Sequence, residues 1–404
     1  MSLAEQKTLE STYLMSTYAR KPIELVRGEG MRVFDDEGRA YLDFVSGVGA
    51  VSLGHCHPAV TDAVAAQAAQ LIHVSNYYYI EGRGQVAELL SGLLNACTEE
   101  EHPSPWQSFF ANSGAEANEC AIKLARLWAK KHKGGAQTIV TLDRGFHGRT
   151  LATLAATAQP AKQEAFKPLP AGFVHTVQND IAALEALFAE RGDDICAVML
   201  ECVQGESGVH PCTEGYLHAV RDLTNQHKAL LICDEIQCGM YRCGTYPFGF
   251  QHFGIMPDIV TVAKGVASGF PTGMCAARSD VAAAFEPGDH GSTFGGSCLA
   301  VAAARATIET LGEIDAAANA EEVGAYLRER LSSLPHVGEV RGLGLMCACD
   351  FDGSVDASAL TIAGLEEGLL LNSTGPHTLR FLPPLVCTKG DVDALFERLS
   401  RLLS

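Results

Sequence analysis

Between about residues 108 and 290, six short apolar runs alternate with helix-like segments. The runs are QSFFANSG, AQTIVTLD, ICAVMLECVQGE, KALLICDEIQ, DIVTVAKG and TGMCAAR. Continuous apolar runs of this length are typical of strands buried on both faces, and their alternation with helices favours a parallel sheet covered by helices. The sequence therefore predicts an α/β fold with a mostly parallel central sheet.

The segments on either side have a different pattern. Residues 31–45, MRVFDDEGRAYLDFV, predict two short strands around a DDEG turn, and residues 59–71 and 84–94 have the apolar spacing of helices. After about residue 297, an alanine-rich helix precedes shorter strands in GEVRGLGLMCACDF and TLRFLPPLV and a closing amphipathic helix. We expect three parts: an N-terminal segment (1–70) that contributes to the small domain, a large ligand-binding domain (71–297) and a C-terminal small α+β domain (298–404).

Charge and cysteine usage restrict the class of protein. The formal net charge of -18 argues against nonspecific binding to nucleic acid or to an anionic membrane surface. The 14 cysteines include no CxxC pair and often lie in apolar runs, which favours buried, reduced thiols. No stretch of about eighteen apolar residues and no basic start before an apolar segment is present. We expect a cytoplasmic protein without a membrane span.

The stretch DIVTVAKGVASGFP ends a predicted buried strand on Lys264. An unpaired ammonium group in an apolar site is costly and tends to lose its proton. One interpretation is a lysine whose long side chain reaches solvent from the strand end. The other is a desolvated amine that acts as a nucleophile, the usual route to a Schiff base.

Polar residues directly after the other apolar runs are further candidates, because ligands bind beyond the carboxyl ends of parallel strands. After QSFFAN, the residues Ser113, Gly114 and Ala115 open a predicted helix. Their hydroxyl and free backbone N–H groups at the positive end of the helix dipole suit a phosphate group. A plain N-cap with small residues for packing is the alternative.

Two more loops follow predicted strands. In TLDRGFHGRT the loop carries Phe146, His147 and Arg149, of which the aromatic ring can stack on a planar ligand and the arginine can bind a carboxylate. In KALLICDEIQ, Asp234 follows five apolar residues. A carboxylate buried there needs a positive partner, either a structural arginine or a protonated pyridine nitrogen.

Asp234 and Lys264 are separated by one strand-to-strand connection, so neighbouring parallel strands can present both to one pocket. A lysine amine, a phosphate site, an aromatic ring and a carboxylate for a pyridinium nitrogen together describe a site for pyridoxal 5'-phosphate (PLP). No other common cofactor needs all four groups.

The sequence resembles the class III, fold type I, PLP-dependent aminotransferases, most of all the acetylornithine aminotransferases. The resemblance extends from YLDF and GHCHP through NSGAEANE, FHGRT, QGESG, DEIQCGMYRCG and AKGVASGFP to HGSTFGG and RGLGL. Each motif alone is weak, but their order and spacing together are highly specific. The resemblance implies transfer of an amino group from N2-acetylornithine to 2-oxoglutarate, giving N-acetylglutamate 5-semialdehyde and glutamate in arginine biosynthesis.

The resemblance also implies roles for individual residues. Lys264 matches the lysine that binds PLP covalently, and Asp234 matches the partner of its pyridine nitrogen. The other residues implied to contact the cofactor are Ser113, Gly114, Ala115, Phe146, His147, Gln237 and Thr293. Thr293 would come from the neighbouring subunit of a homodimer with shared active sites.

The residues implied to contact substrate are Arg149, Glu206, Ser292 and Arg380. Arg149 matches the ligand of the carboxylate far from the reacting carbon. Arg380 matches an arginine that Glu206 neutralises in the first half-reaction and releases in the second.

The chain departs from the family pattern at several positions. Ser207 and Tyr241 stand where these enzymes usually carry glycine, Phe294 replaces a tyrosine, and AKGVASGFP replaces a form richer in glycine. Val48 stands where ornithine aminotransferases have a tyrosine that helps to hold unacylated ornithine, which favours an acetylated substrate. None of these changes removes a catalytic group.

Several alternatives remain at this point. GHCHP could form a His-Cys-His metal site, but no further ligand cluster is evident and we expect no metal. Succinylornithine, ornithine, 4-aminobutyrate and other ω-aminotransferases, and the related aminomutases, are rival enzymes. A PLP-binding regulatory module is disfavoured because no basic N-terminal extension is present and both Lys264 and Asp234 are retained. Sequence leaves open the acyl group, dimer or tetramer, and the pathway direction.

Overall fold

The computed structural model describes residues 2–98 and 103–404. The strands, in chain order, are β1 (Leu25–Glu29), β2 (Arg32–Asp35), β3 (Ala40–Asp43), β4 (Trp106–Ala111), β5 (Thr138–Leu142), β6 (Phe173–Thr176), β7 (Ile195–Leu200), β8 (Val203–Gln204), β9 (His210–Pro211), β10 (Leu230–Asp234), β11 (Ile259–Val262), β12 (Gly273–Arg278), β13 (Val337–Leu343), β14 (Met346–Phe351), β15 (Leu369–Leu370), β16 (Asn372–Ser373) and β17 (Thr378–Phe381). The helices are α1 (Leu3–Tyr13), α2 (Ser46–Gly49), α3 (Pro58–Ala68), α4 (Arg83–Leu94), α5 (Gly114–His132), α6 (Leu151–Ala156), α7 (Pro160–Gln163), α8 (Ile181–Arg191), α9 (Glu214–Gln226), α10 (Ser279–Ala282), α11 (Cys298–Glu313), α12 (Ala316–Ser332), α13 (Ala357–Glu366) and α14 (Lys389–Leu402). Short 3₁₀ turns lie at Glu164–Phe166, Gly249–Phe253 and Lys264–Ala267.

The central sheet has seven strands in the order β4-β12-β11-β10-β7-β5-β6. Strand β12 runs antiparallel to β4 and β11, and the remaining pairs are parallel. The mostly parallel α/β sheet expected from the sequence is thus confirmed. The six apolar runs form β4, β5, β7, β10, β11 and β12, whereas the shorter β6 was not predicted.

Strand β10 explains why these runs are continuously apolar. Leu230 and Ile232 contribute to one hydrophobic cluster, and Leu231 and Cys233 contribute to the other. Side chains alternate between the two faces of a strand, so a sheet covered on both sides requires apolar residues at every position. The run ends at Asp234, where the strand reaches the edge of the sheet.

Helix α5 covers one face of the sheet and packs against β4, β11 and β12. Its buried side includes Ala117, Ala121 and Leu124, while Trp128 is only half-buried. Three basic residues occupy its last turn, where cations interact favourably with the helix dipole. The basic KKHK run at residues 130–133 is therefore the C-terminal end of α5.

The remaining strands form smaller sheets. The first is β1-β2-β3-β15, in which β15 pairs in parallel with β3, and the second is the antiparallel β13-β14-β17-β16. The β3–β15 pairing joins the N-terminal segment to the C-terminal region, which supports the domain division 1–70, 71–297 and 298–404; that division remains our proposal. No helix in the part of the chain that the structure describes is long and apolar enough to cross a membrane.

Candidate active site

A pocket of about 370 Å³ opens at the carboxyl edge of the central sheet. The predicted site residues that line it are Ser113, Gly114, Ala115, Phe146, His147, Arg149, Asp234, Gln237 and Lys264. They come from the last residue of β10 and from the loops after β4, β5, β10 and β11, so the central sheet brings together residues far apart in the chain. The predicted residues that do not line this pocket are Glu206, Arg380, Ser292 and Thr293.

Lys264 begins the short 3₁₀ turn directly after β11 and has a positive φ of 46°. Its side chain is half-buried and faces the pocket, and none of the described residues hydrogen-bonds to its Nζ. Burial lowers the pKa of Lys264, and the charge of Glu206 only partly opposes this effect. The geometry thus favours the interpretation as a desolvated amine over that of a lysine reaching solvent.

Asp234 is the centre of a buried hydrogen-bond network. Its Oδ2 atom lies 2.8 Å from His147 Nδ1 and accepts a 2.8 Å hydrogen bond from Asn118 Nδ2. Burial lowers the pKa of His147, but the hydrogen bond and charge of Asp234 outweigh it and raise that pKa overall. His147 therefore places a positive charge next to the Asp234 carboxylate beside the pocket.

Asn118 was not predicted from the sequence. It is fully buried, and besides Asp234 it donates to the backbone oxygen of His147 at 2.7 Å and accepts from Thr261 Oγ1 at 2.7 Å. One amide thereby fixes Asp234, the His147 loop and β11 relative to one another. The available signal was an asparagine beside Ala117, on the side of α5 that faces the sheet.

Glu201 was also missed, although it directly follows the six buried residues of β7, much as Asp234 ends the buried run of β10. It lines the pocket, and its carboxylate accepts hydrogen bonds from Phe146 N at 2.9 Å and Gly205 N at 3.1 Å. Burial raises its pKa to about 7. Glu201 therefore joins the loop of the predicted stacking residue to the loop that carries Glu206.

The N-terminus of α5 forms one wall of the pocket. Ser113 is the N-cap, and its side chain accepts a hydrogen bond from Glu116 N at 3.2 Å. A Cβ on Gly114 would lie 2.7 Å from Ile236 Cδ1, so a larger residue would crowd the Ile236 side chain at this wall. The start of a 19-residue helix gives free N–H groups and a positive dipole end, as an anionic group requires.

Phe146 lines the pocket and lies close to two cations. Arg149 Cζ is 5.7 Å and Lys162 Nζ 5.3 Å from the centroid of its ring. Arg149 is exposed and has no salt bridge with any carboxylate of the described residues, so it is free to bind an external one. Lys162 was not predicted, and burial lowers its pKa.

Glu206 and Arg380 form the ion pair that the resemblance implies, with 2.7 Å between Arg380 Nη1 and Glu206 Oε1. Gln237 connects the pair to the pocket, because it accepts from Arg380 Nη1 at 3.1 Å and donates to Glu206 Oε1 at 3.3 Å. Asn372, which was not predicted, accepts from Arg380 Nη2 at 2.8 Å. Burial raises the pKa of Glu206, but the charge of Arg380 outweighs it and lowers that pKa overall.

Ser292 and Thr293 lie in a separate pocket, together with the exposed Tyr77 and Tyr79. Ser292 Oγ accepts from Asn112 Nδ2 at 3.2 Å, and Asn112 also lines the main pocket. Within one chain, Thr293 is thus outside the site to which we assigned it. This arrangement agrees with the expectation that Thr293 acts in a neighbouring subunit.

Two departures from glycine occur at left-handed backbone positions. Ser268 has φ 44° and Tyr241 has φ 64°, conformations that favour glycine. Ser268 Oγ accepts a hydrogen bond from Leu53 N at 3.0 Å, and Tyr241 N donates to Pro247 O at 3.0 Å. Ser207 lies beside Glu206, and Phe294 is exposed.

The GHCHP histidines have separate partners. His55 Nε2 lies 2.8 Å from Asp43 Oδ2, and His57 is the N-cap of α3. Within residues 2–98 and 103–404, no group of three or more His, Cys, Asp or Glu side chains could hold a metal ion. Val48 does not line the main pocket; it packs against a buried cluster that includes Met346.

The pocket residues fit PLP. A helix N-terminus for the phosphate, an aromatic ring for stacking, the Asp234 carboxylate for the pyridine nitrogen and the Lys264 amine all face one cavity. The volume is within the usual range for a small-molecule site. Gly114 lines the pocket and adds no side chain at the helix start.

Comparison with known proteins agrees with this geometry. The family model "Aminotransferase class-III" matches residues 14–403. The chain belongs to the class III aminotransferases. It is 46% identical over 402 residues to the acetylornithine aminotransferase of Caldanaerobacter subterraneus subsp. tengcongensis, covering 98% of both chains. It is 42% identical over 395 residues to that of Bacillus subtilis, covering 97% of both.

Solved structures of class III aminotransferases share the fold. The ornithine aminotransferase of Toxoplasma gondii superposes with a TM-score of 0.92 at 30% identity, covering 99% of this chain and 94% of that one. In another structure of the Toxoplasma enzyme, with a TM-score of 0.90, PLP partly occupies the active site. The acetylornithine aminotransferase of Elizabethkingia anophelis superposes with a TM-score of 0.86 at 30% identity, covering 100% and 99% of the two chains. The chain is therefore an aminotransferase of fold type I.

Proposed function

We propose that this aminotransferase transfers the δ-amino group of N2-acetylornithine to 2-oxoglutarate, with PLP as cofactor, in arginine biosynthesis. The observation that carries the proposal is the Glu206–Arg380 ion pair beside a pocket in which Arg149 has no carboxylate partner among the described residues. A site of this kind can accept one substrate carboxylate, or two when Glu206 withdraws. The curated relatives named acetylornithine aminotransferase support the choice of amino donor.

When bound, PLP supplies an electrophilic aldehyde and a ring that accepts an electron pair. The backbone N–H groups of Ser113, Gly114 and Ala115 would hold its phosphate at the start of α5. Phe146 would stack on its ring, and Gln237 would lie beside its hydroxyl group. The Asp234 carboxylate, held by His147, would keep a proton on the ring nitrogen.

Lys264 would have two tasks. Its ε-amine would hold the cofactor covalently, and its free Nζ would accept a proton during the transfer and later give it up. The lowered pKa of Lys264 favours the neutral amine that both tasks require. Its position after a fixed strand keeps Nζ within reach of the reacting atoms.

The two substrates differ in charge near Arg380. Arg149 would bind the carboxylate far from the reacting carbon in both half-reactions. In the first, Glu206 would neutralise Arg380, because acetylornithine has no carboxylate at that position. In the second, the α-carboxylate of 2-oxoglutarate would replace Glu206 on Arg380.

Acetylation removes the α-ammonium charge of ornithine. The free ammonium group would have to be desolvated near Arg149 and Lys162, whereas the N-acetyl group leaves a neutral amide. We therefore expect kcat/KM for acetylornithine to exceed that for ornithine at least about tenfold. Succinylornithine differs only beyond the amide and is the expected secondary substrate.

The test is a half-reaction screen of the PLP form with acetylornithine, succinylornithine, ornithine and 4-aminobutyrate, followed by the change in cofactor absorbance. Preference for acetylornithine supports the proposal. Equal or better use of ornithine or 4-aminobutyrate overturns the donor assignment, and better use of succinylornithine reassigns the acyl group.

We also propose a homodimer in the cytoplasm. The exposed Tyr77 and Tyr79 beside Thr293 form a surface that a second subunit would cover. All 14 cysteines are free, as a reducing compartment favours.

A further inference from the structure

Glu206 lies in the turn of a short hairpin formed by β8 and β9. Val203 pairs with Pro211 and Gln204 with His210, so residues 205–209 form the turn. We call residues 205–209 the Glu206 turn. Two residue pairs between two short strands are too few to hold such a turn in place, so the position of the turn depends on contacts with the rest of the protein.

Two arginines from the β13-β14-β17 sheet hold the Glu206 turn by its backbone. Arg380 Nη1 donates to Gly205 O at 3.0 Å, and Arg341 Nε donates to Gly208 O at 2.8 Å. The two contacts lie on opposite sides of Glu206 in the chain. Arg341 belongs to the RGLGL motif, to which the proposed chemistry gives no task.

The two arginines occupy one row of this sheet. Arg341 pairs with Ala348 across β13 and β14, and Ala348 pairs with Arg380 across β14 and β17. Residues directly opposite each other project from the same face of a sheet, so both guanidinium groups point to the hairpin. The small side chain of Ala348 between them leaves room for both.

Arg341 is itself fixed and neutralised. Its Nη1 and Nη2 atoms form a fork with the Asp350 carboxylate at 2.7 and 3.0 Å. Thr378 Oγ1 donates to the same carboxylate at 2.6 Å. Because Asp350 balances its charge, Arg341 does not compete with Arg380 for Glu206 or for a substrate carboxylate.

Gly208 permits the close approach of Arg341. It has φ 115°, and a Cβ at this position would lie 3.1 Å from Arg341 Nη2. The backbone conformation and the missing side chain both favour glycine here.

We propose that Arg341 is a positioning residue that keeps the Glu206 turn in place when Glu206 leaves Arg380. This inference rests on the proposed function, in which the α-carboxylate of 2-oxoglutarate displaces Glu206. That exchange breaks the 2.7 Å ion pair but leaves the Arg341–Gly208 hydrogen bond, which involves no carboxylate of the pair. Glu206 can then return by side-chain rotation, without a rearrangement of the turn.

The first experiment compares the two half-reactions in the holoenzyme with Arg341→Met. Without the hydrogen bond to Gly208, Glu206 pairs less completely with Arg380. The acetylornithine half-reaction needs this ion pair, whereas the 2-oxoglutarate half-reaction does not. We expect kcat/KM for acetylornithine to fall about tenfold and that for 2-oxoglutarate to change less than about twofold. Arg341→Lys should restore part of the loss, because an ammonium group can donate to Gly208 O but cannot form the fork.

The matched control is Arg328→Met, which removes an arginine that donates to another backbone oxygen, Gly344 O at 2.9 Å. It should leave the ratio of the two half-reactions unchanged. Equal losses in both half-reactions of Arg341→Met, or no loss in either, overturn the inference. If Arg341→Met does not fold, Asp350→Asn, which weakens the fork, is the alternative variant. It should also lower kcat/KM for acetylornithine more than kcat/KM for 2-oxoglutarate, by a smaller factor.

Hydrogen exchange tests the inference without acetylornithine. In the presence of 2-oxoglutarate, amides of the Glu206 turn should exchange about tenfold faster in Arg341→Met than in the wild type or in Arg328→Met. Unchanged exchange overturns the role of Arg341. Failure of the wild type to use acetylornithine would refute only the proposed donor.

Discussion

Replacing Asn118 should weaken both the large domain and the reaction. The Asn118→Ala change removes three buried hydrogen bonds of 2.7 to 2.8 Å, one of them to the Asp234 carboxylate. It leaves the Thr261 hydroxyl and the backbone oxygen of His147 without their amide partner. Neutral hydrogen bonds contribute about 1 kcal/mol each and one to a charged group about 1.5–3 kcal/mol, so we expect a loss of about 4 kcal/mol in the free energy of unfolding.

The assay is urea unfolding followed by the fluorescence of the two tryptophans, Trp106 and Trp128, which lie in β4 and α5 of the same domain as Asn118. Because Asp234 loses one of its donors, kcat should also fall about tenfold through poorer orientation of the carboxylate. Asn118→Asp should be worse, since it sets a second carboxylate against Asp234.

Asn225→Ala is the matched control, because Asn225 is exposed on α9 and its loss should change stability by less than about 0.5 kcal/mol. A loss below about 1 kcal/mol in Asn118→Ala with unchanged kcat would show that the network does not hold Asp234.

Four further outcomes are expected. Borohydride should fix PLP to Lys264, and Lys264→Ala should be colourless and inactive; label on another lysine contradicts the assignment. Mixing inactive Lys264→Ala and Thr293→Ala subunits should restore some activity through hybrid dimers, whereas a fully active monomer in sedimentation excludes shared sites. The pKa of Glu201 is raised from 4.5 to about 7, so between these pH values the folded state holds a proton that the unfolded state has released. This proton contributes up to about 3 kcal/mol of stability, which is lost as pH rises from about 4.5 through 7. In urea titrations at several pH values, stability should decrease less with rising pH in Glu201→Gln than in the wild type, and an equal decrease refutes the assignment. Ser268→Ala should lower stability by about 1 kcal/mol because the strain stays and the hydrogen bond is lost, while Ser268→Gly, which loses both, should be nearly neutral in the same titration.

The residues predicted from sequence share one physical signal. Asp234 and Lys264 each follow a continuous apolar run, and a parallel sheet places such strand ends at one edge. Glu201 has the same signal after β7 and could have been found by the same rule. The strand pattern was equally accessible, because burial on both faces forces a continuous apolar run.

The contacts that sequence did not predict join distant elements without a periodic pattern. Asn118 lies inside a helix, and its three partners come from the β5 loop, β10 and β11. Asn372 belongs to a two-residue strand, too short for any alternation. The Arg341–Gly208 hydrogen bond spans 133 positions of the chain. Only tertiary packing brings these groups together, so secondary-structure propensity and residue spacing along the sequence do not predict these contacts.

The backbone around Lys264 shows how the N-terminal segment contributes to the site. Lys264 and Ser268 both have left-handed φ values, which cost about 1–2 kcal/mol each for residues other than glycine. Two hydrogen bonds hold this turn: Ser52 Oγ donates to Gly265 O at 2.8 Å, and Leu53 N donates to Ser268 Oγ at 3.0 Å. Each contributes about 1 kcal/mol, so together they offset much of the strain. The Ser268 hydroxyl thus supplies a hydrogen bond that glycine would lack, and the segment after β3 fixes the direction in which Lys264 enters the pocket.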